Sequence, residues 1–100
     1  MPEFLYQLQL VRKDMLGAGP TAAEQAVVAE HFAYLQDLNA KGVIIFVGRT
    51  LNTDENAMGL AVFRAESEDA ARQIMNGDPA VKKGVMTAKL YPFKVVLQGK

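Results

Sequence analysis

The sequence has no cysteine, no tryptophan, a single histidine and no surplus of either charge, with eleven basic side chains against eleven acidic ones. Without cysteine there is no disulfide framework, no thiolate metal site and no cysteine nucleophile. A lone histidine cannot supply the paired histidine spacings on which strong metal sites are built, so no metal is expected. A balanced charge lacks the basic excess with which nucleic-acid binders neutralise phosphates. It also offers no long-range field to steer a charged partner, and it favours association over repulsion. The longest apolar run, Val43 to Val47, is far too short to span a bilayer, and Met1-Pro2-Glu3 leads into a strand-like stretch with no signal core. Neither a nucleic-acid nor a membrane partner is expected, and the cytoplasm is the expected location.

Phosphate-binding loops are missing as well. No glycine-rich stretch ends in Lys-Ser or Lys-Thr, and Gly17 and Gly19 lack the third glycine of a dinucleotide fingerprint. The aromatic pattern of an RNA-recognition motif is absent. No cofactor is expected.

What is present suffices for a core. Half of the 100 residues are hydrophobic, which reads as one domain over residues 1–100. A domain this small leaves much of its surface exposed, so burial against a partner would help it.

Phe4, Tyr6, Leu8 and Leu10 alternate with Leu5, Gln7, Gln9 and Val11, the period of a strand. Gly17-Ala18-Gly19-Pro20 breaks the chain, and Thr21 with Glu24 three residues on forms a capping box that opens a helix. Val28, His31, Leu35 and Leu38 share one face of that helix, and Gly42 suits its end. Val43 to Val47 reads as a strand covered on both sides. Gly48 to Asn56 is a polar loop. Ala57 to Ala65 alternates again. Ser67 caps a second helix that ends at Gly77, and Asp78-Pro79 opens one short turn that closes at Gly84. Val85 to Tyr91 is a fourth strand. Pro92 is expected to interrupt it, with an extra extended segment over Phe93 to Leu97.

The order strand, helix, strand, strand, helix, strand is the split βαβ arrangement of a ferredoxin-like α+β fold. Two helices cover only one face of four strands. The second and fourth strands are apolar on both faces, so the open sheet face is expected to pair with a second copy. The rival is a C-terminal segment folded back over that face.

His31 is the candidate acid or base, since an imidazole titrates near neutrality. On pattern alone, a core histidine bonded to a backbone carbonyl comes first. Asp78 is the candidate partner that orients the ring, and on pattern alone a helix cap is its first role. Arg49, just after the second strand, could anchor an anionic substrate group, although such arginines are more often solvated. Tyr6, Tyr34 and Tyr91 could supply phenol donors, with packing the commoner use, and Tyr6 is the one placed at the substrate.

The run His31-x3-Leu35-x2-Leu38-x3-Gly42 and a strand ending in Gly48 resemble the YciI-related family of small ferredoxin-like proteins. So do Ser67-Glu68-Asp69-Ala70-Ala71, Asp78-Pro79, Gly84 and Pro92-Phe93. The resemblance spans nearly the whole chain. It implies a homodimer of the dimeric α/β barrel type and an active site of one histidine and one aspartate, here His31 and Asp78. The family includes a dehydrochlorinase acting on a chlorinated hydroxyquinol. The sequence departs from the family at Arg49, where proline is frequent, and at Ala57-Met58-Gly59, where hydroxyl side chains are frequent. The function expected is cofactor-independent acid–base chemistry, as an isomerase or a dehydrochlorinase-like lyase, on a small aromatic or lactone-like substrate. The alternatives are a non-catalytic ligand-binding or accessory dimer and, on fold analogy alone, a cofactor-free oxygenase.

Overall fold

The computed structural model describes residues 1–99, so Lys100, the last residue of the expected domain, lies outside the described residues. Strand β1 (Glu3–Leu10) leads through a 3-10 turn (Lys13–Met15) to helix α1 (Ala22–Ala40) and strand β2 (Ile44–Arg49). Strand β3 (Gly59–Arg64), helix α2 (Glu68–Gly77), short helix α3 (Pro79–Lys82) and strand β4 (Met86–Phe93) complete the chain. The strands form one antiparallel sheet in the order β2-β3-β1-β4. This is the ferredoxin-like α+β fold.

The helix ends lie where the local chemistry puts them. The Thr21 hydroxyl accepts the Glu24 amide at 3.1 Å, and the Glu24 carboxylate accepts the Thr21 amide at 2.8 Å. Gly42 carries the chain out of α1 with φ +77°, a conformation that other residues rarely adopt. The Ser67 hydroxyl caps α2 through the Ala70 amide at 3.1 Å. Asp78 ends α2 and caps α3, and Pro79 takes the first helical position.

A paired contact outside the expected motifs ties the β1–α1 connection to α1. The Arg12 guanidinium donates to both Glu24 oxygens, at 2.9 and 2.5 Å, and to the Gly19 carbonyl at 3.1 Å. The hydrogen bonds from Arg12, then that from the Thr21 amide, pull the Glu24 carboxyl from its ordinary 4.5 to about 2. A carboxyl depressed on folding stabilises the fold fully above its unfolded value, and the contribution fades as pH falls through the folded one. Arg12→Gln should return the Glu24 midpoint toward the ordinary carboxylate range in a carbon-13 NMR titration. An unchanged midpoint would mean that the pair does not form in solution.

The core lies between the sheet and the helices. Phe4, Tyr6 and Leu8 of β1 meet Ala61 and Phe63 of β3, with Leu35 of α1 and Ala71 and Met75 of α2 closing over them. Tyr6 stands edge-on to Phe63, ring centroids 5.5 Å apart.

Two expectations are corrected. The run Val43 to Val47 is not covered on both sides: β2 is an edge strand, with Ile44 buried but Phe46 48% and Val47 45% exposed. Nothing in the run distinguishes a strand buried by its own chain from one whose apolar side chains await other cover. Pro92 does not interrupt β4, because it pairs opposite Phe4 on an edge strand, where a missing N–H is tolerated. Among the described residues, those after Phe93 form no further strand, and Val96 and Leu97, 80% and 92% exposed, do not cover the sheet.

Register defines the face opposite the helices. Tyr91, Leu5, Val62 and Phe46 are successive cross-strand partners, so one row from all four strands is apolar. Among the described residues no helix is long and apolar enough to cross a membrane.

Candidate active site

A helix stripe and a helix cap, far apart in sequence, meet at one carboxylate. His31 lies midway along α1 on the face toward α3, and Asp78 stands at the α2–α3 junction. The His31 Nδ1 lies 2.7 Å from Asp78 Oδ1 and 2.8 Å from Oδ2. Both patterns read from the sequence coexist in Asp78, because its Oδ1 also accepts the Ala80 amide at 3.0 Å as a cap. The commoner pattern for His31, a bond to a backbone carbonyl, gives way to this carboxylate.

Asp78 is held from every side. Its own amide donates to the Met75 carbonyl at 3.2 Å, and its carbonyl accepts from Val81 and Lys82 at 3.0 and 2.9 Å. Oδ2 accepts the Tyr6 hydroxyl at 2.8 Å. Asp78 and Tyr6 are both fully buried. Burial, and after it the negative Asp78, pushes the Tyr6 phenol far above its ordinary range, so Tyr6 stays a protonated donor.

The histidine is turned the other way. Its side chain is 13% exposed. Nε2 makes no hydrogen bond among the described residues, and no buried side-chain nitrogen lacks a partner, so Nε2 reaches solvent. A carboxylate can only accept, which places the Nδ1 proton between ring and Asp78 and leaves the Nε2 lone pair outward in the neutral ring. A fixed ring with a free outward nitrogen can take a proton from a bound molecule and return it.

The remaining candidates lie elsewhere. Tyr6, expected at the substrate, sits behind the pair, with its hydroxyl given to Asp78. Arg49 is exposed at the end of β2, two strands from β1, and its side chain makes no hydrogen bond or ion pair among the described residues. Lys83 donates to Glu30 at 2.7 Å and links the end of α3 to α1 beside His31. A groove of about 330 Å³ runs along the other flank of α1, lined by Phe32, Leu35, Gln36, Ile44 and Phe46, and does not include His31. Among the described residues, no three of histidine, aspartate and glutamate cluster as metal ligands would.

One supporting contact has no local signature in the sequence. The Tyr34 hydroxyl donates to the Ile74 carbonyl at 2.7 Å, and a Cβ on Gly77 would lie 2.8 Å from that hydroxyl. Gly77 therefore makes room for a tyrosine, beside Asp78, and its φ is not positive. Alanine there gains about 0.5–1 kcal/mol of helix preference over glycine but disturbs a hydrogen bond of about 0.5–1.5 kcal/mol. Gly77→Ala should thus be near neutral alone and stabilising by about 0.5–1 kcal/mol in a Tyr34→Phe background. Urea denaturation of the four-member cycle checks this, and strict additivity would exclude the contact.

A model of the YCII-related domain matches residues 7–94. None of the curated proteins compared matches the chain. Among solved structures, the chain is similar to 5-chloro-2-hydroxyhydroquinone dehydrochlorinase from Burkholderia phenoliruptrix, in complex with 2,5-dihydroxybenzoquinone. The TM-score is 0.64 at 22% identity over 91% of this chain and 93% of that one. It is also similar to SnoaB, a cofactor-independent oxygenase from Streptomyces nogalater, with TM-score 0.50 at 14% identity over 96% and 93% of the two chains. The de novo designed protein Ferredog-Diesel matches with TM-score 0.53 at 15% identity over 89% and 83%. These likenesses support the fold, and a designed protein among them shows that the fold alone does not define a reaction.

Proposed function

The chain belongs to the YCII-related domain family, and from that membership we propose that it is a small cofactor-independent enzyme of acid–base chemistry, working as a homodimer in the cytoplasm. The observation that carries the reading is the buried Asp78 on Nδ1 of a histidine whose Nε2 reaches solvent. Nε2 takes a proton from the substrate, and Asp78 steadies the imidazolium that forms. In a lyase reaction the electron pair left behind expels a leaving group such as chloride. In an isomerase reaction His31 returns the proton at another atom. Small aromatic or lactone-like molecules suit this chemistry, and the chlorinated hydroxyquinol named for a structural neighbour supports the first class. Arg49, exposed and unpaired among the described residues, is available to anchor an anionic substituent. The apolar row across the helix-free face supports the homodimer.

General acid–base catalysis contributes roughly 10²–10⁴-fold, so His31→Ala should lower turnover by about that factor. Chlorinated hydroxyquinols, hydroxyquinones and lactones are the substrates to screen, with chloride release and absorbance as readouts. Equal rates for wild type and His31→Ala would sink the reading. Binding without turnover would indicate an accessory protein, and oxygen uptake during turnover would indicate an oxygenase.

A further inference from the structure

We infer that Tyr6 is a positioning residue, whose buried hydroxyl keeps Asp78 turned to His31 and the ring in its Nδ1–H form. As a statement about how His31 is used, this rests on the acid–base reading above; as a statement about the ring's tautomer, it stands on the geometry alone. Three donors converge on one buried carboxylate. The Ala80 amide holds Oδ1 at 3.0 Å, Tyr6 holds Oδ2 at 2.8 Å, and His31 Nδ1 lies against both oxygens. The Ala80 amide fixes one oxygen only, so the plane of the carboxylate is still free to turn about that bond. Tyr6 removes this freedom. It comes from the central strand β1 on the sheet side, whereas His31 comes from α1.

The phenol does not compete with the ring for a proton. Burial and the neighbouring charge hold it protonated, so it can only donate to Asp78. A carboxylate accepting a phenol proton is less able to draw the Nδ1 proton onto itself. The Nδ1 proton stays on the ring, and the lone pair stays at Nε2, where a substrate can reach it.

Tyr6→Phe deletes one oxygen and keeps the ring that packs against Phe63. Tyr34→Phe is the matched control, because the Tyr34 hydroxyl donates to the Ile74 carbonyl and not to Asp78. The readout is the nitrogen-15 spectrum of His31, whose two ring nitrogens report the tautomer directly, with the exchange rate of the Nδ1 proton beside it. Neither requires a substrate. In Tyr6→Phe the two nitrogen shifts should move toward each other as both tautomers become populated, and the Nδ1 proton should exchange at least about tenfold faster. Tyr34→Phe should leave both as in wild type. Identical His31 spectra in wild type and Tyr6→Phe, with the fold intact by circular dichroism, would overturn the inference. If Tyr6→Phe does not fold, the Tyr6 hydroxyl proton of wild type decides instead: exchange as fast as in a free phenol would overturn the inference, and a slowly exchanging hydroxyl proton beside the Nδ1 proton would uphold it. Should His31→Ala leave turnover unchanged while the spectra respond as stated, the enzyme reading fails and the positioning of the ring by Tyr6 stands.

Discussion

Asp78→Ala is expected to destabilise the protein by about 2–4 kcal/mol, from a buried donor left unpaired and a helix cap lost. The reason lies in what the carboxylate leaves behind. The Tyr6 hydroxyl is fully buried and has Asp78 as its acceptor. An unpaired buried donor costs about 1–3 kcal/mol. The α3 cap is lost with it, at typically about 1 kcal/mol. His31 loses its partner while mostly buried. Asp78→Asn should cost less, because its amide oxygen can still cap Ala80. It places an NH2 near His31 or Tyr6, however, so the outward lone pair at Nε2 is no longer enforced. The two variants separate the roles of this residue: alanine lowers the midpoint of urea denaturation strongly, whereas asparagine lowers turnover out of proportion to stability. If both variants denature like wild type, the buried network is not formed in solution.

If the chain pairs through its helix-free sheet face as proposed, Phe46→Glu is expected to leave a folded monomer at micromolar concentration where wild type is a dimer. Phe46 is 48% exposed in the isolated chain, so the substitution removes little from the core. It ends the row formed with Val62, Leu5 and Tyr91, at the sheet edge where it also borders the groove along α1. Tyr91 and Phe93 are also exposed on the helix-free face, at 44% and 41%. A buried aromatic anchor commonly contributes about 2–4 kcal/mol to an interface, which is about 30- to 1,000-fold in the dimer dissociation constant. Two carboxylates brought into an apolar contact would oppose association further. Equilibrium sedimentation of wild type and Phe46→Glu gives the answer. A wild type that sediments as a monomer would remove the dimer, and a dimeric Phe46→Glu would move the interface off this face.

Much of the fold is legible in local chemistry. The Thr21-Glu24 box, the Ser67 cap and the Asp78-Pro79 junction all act over a few residues and are found in place. The Phe4–Tyr6–Leu8 alternation correctly separates the core side of β1 from the other. What such patterns miss is partner choice. Val43 to Val47 is apolar throughout, and composition cannot say whether its own chain or another covers it. Pro92 reads locally as a strand breaker, yet the outcome depends on whether the strand has a neighbour on its second side, which is a property of sheet order. The Arg12–Glu24 contact and the Tyr34–Gly77 fit carry no motif, because each depends on where two elements cross.

The site divides along the same line. The sequence by itself determined that one imidazole sits on an inward helix stripe and that one carboxylate is pinned at a cap, because helical spacing and capping are local. That Asp78 reaches His31, and that Tyr6 stands behind it, only the tertiary structure decided. In that packing α1, the α2–α3 junction and β1 converge, and a buried carboxylate with two oxygens must find donors from all three.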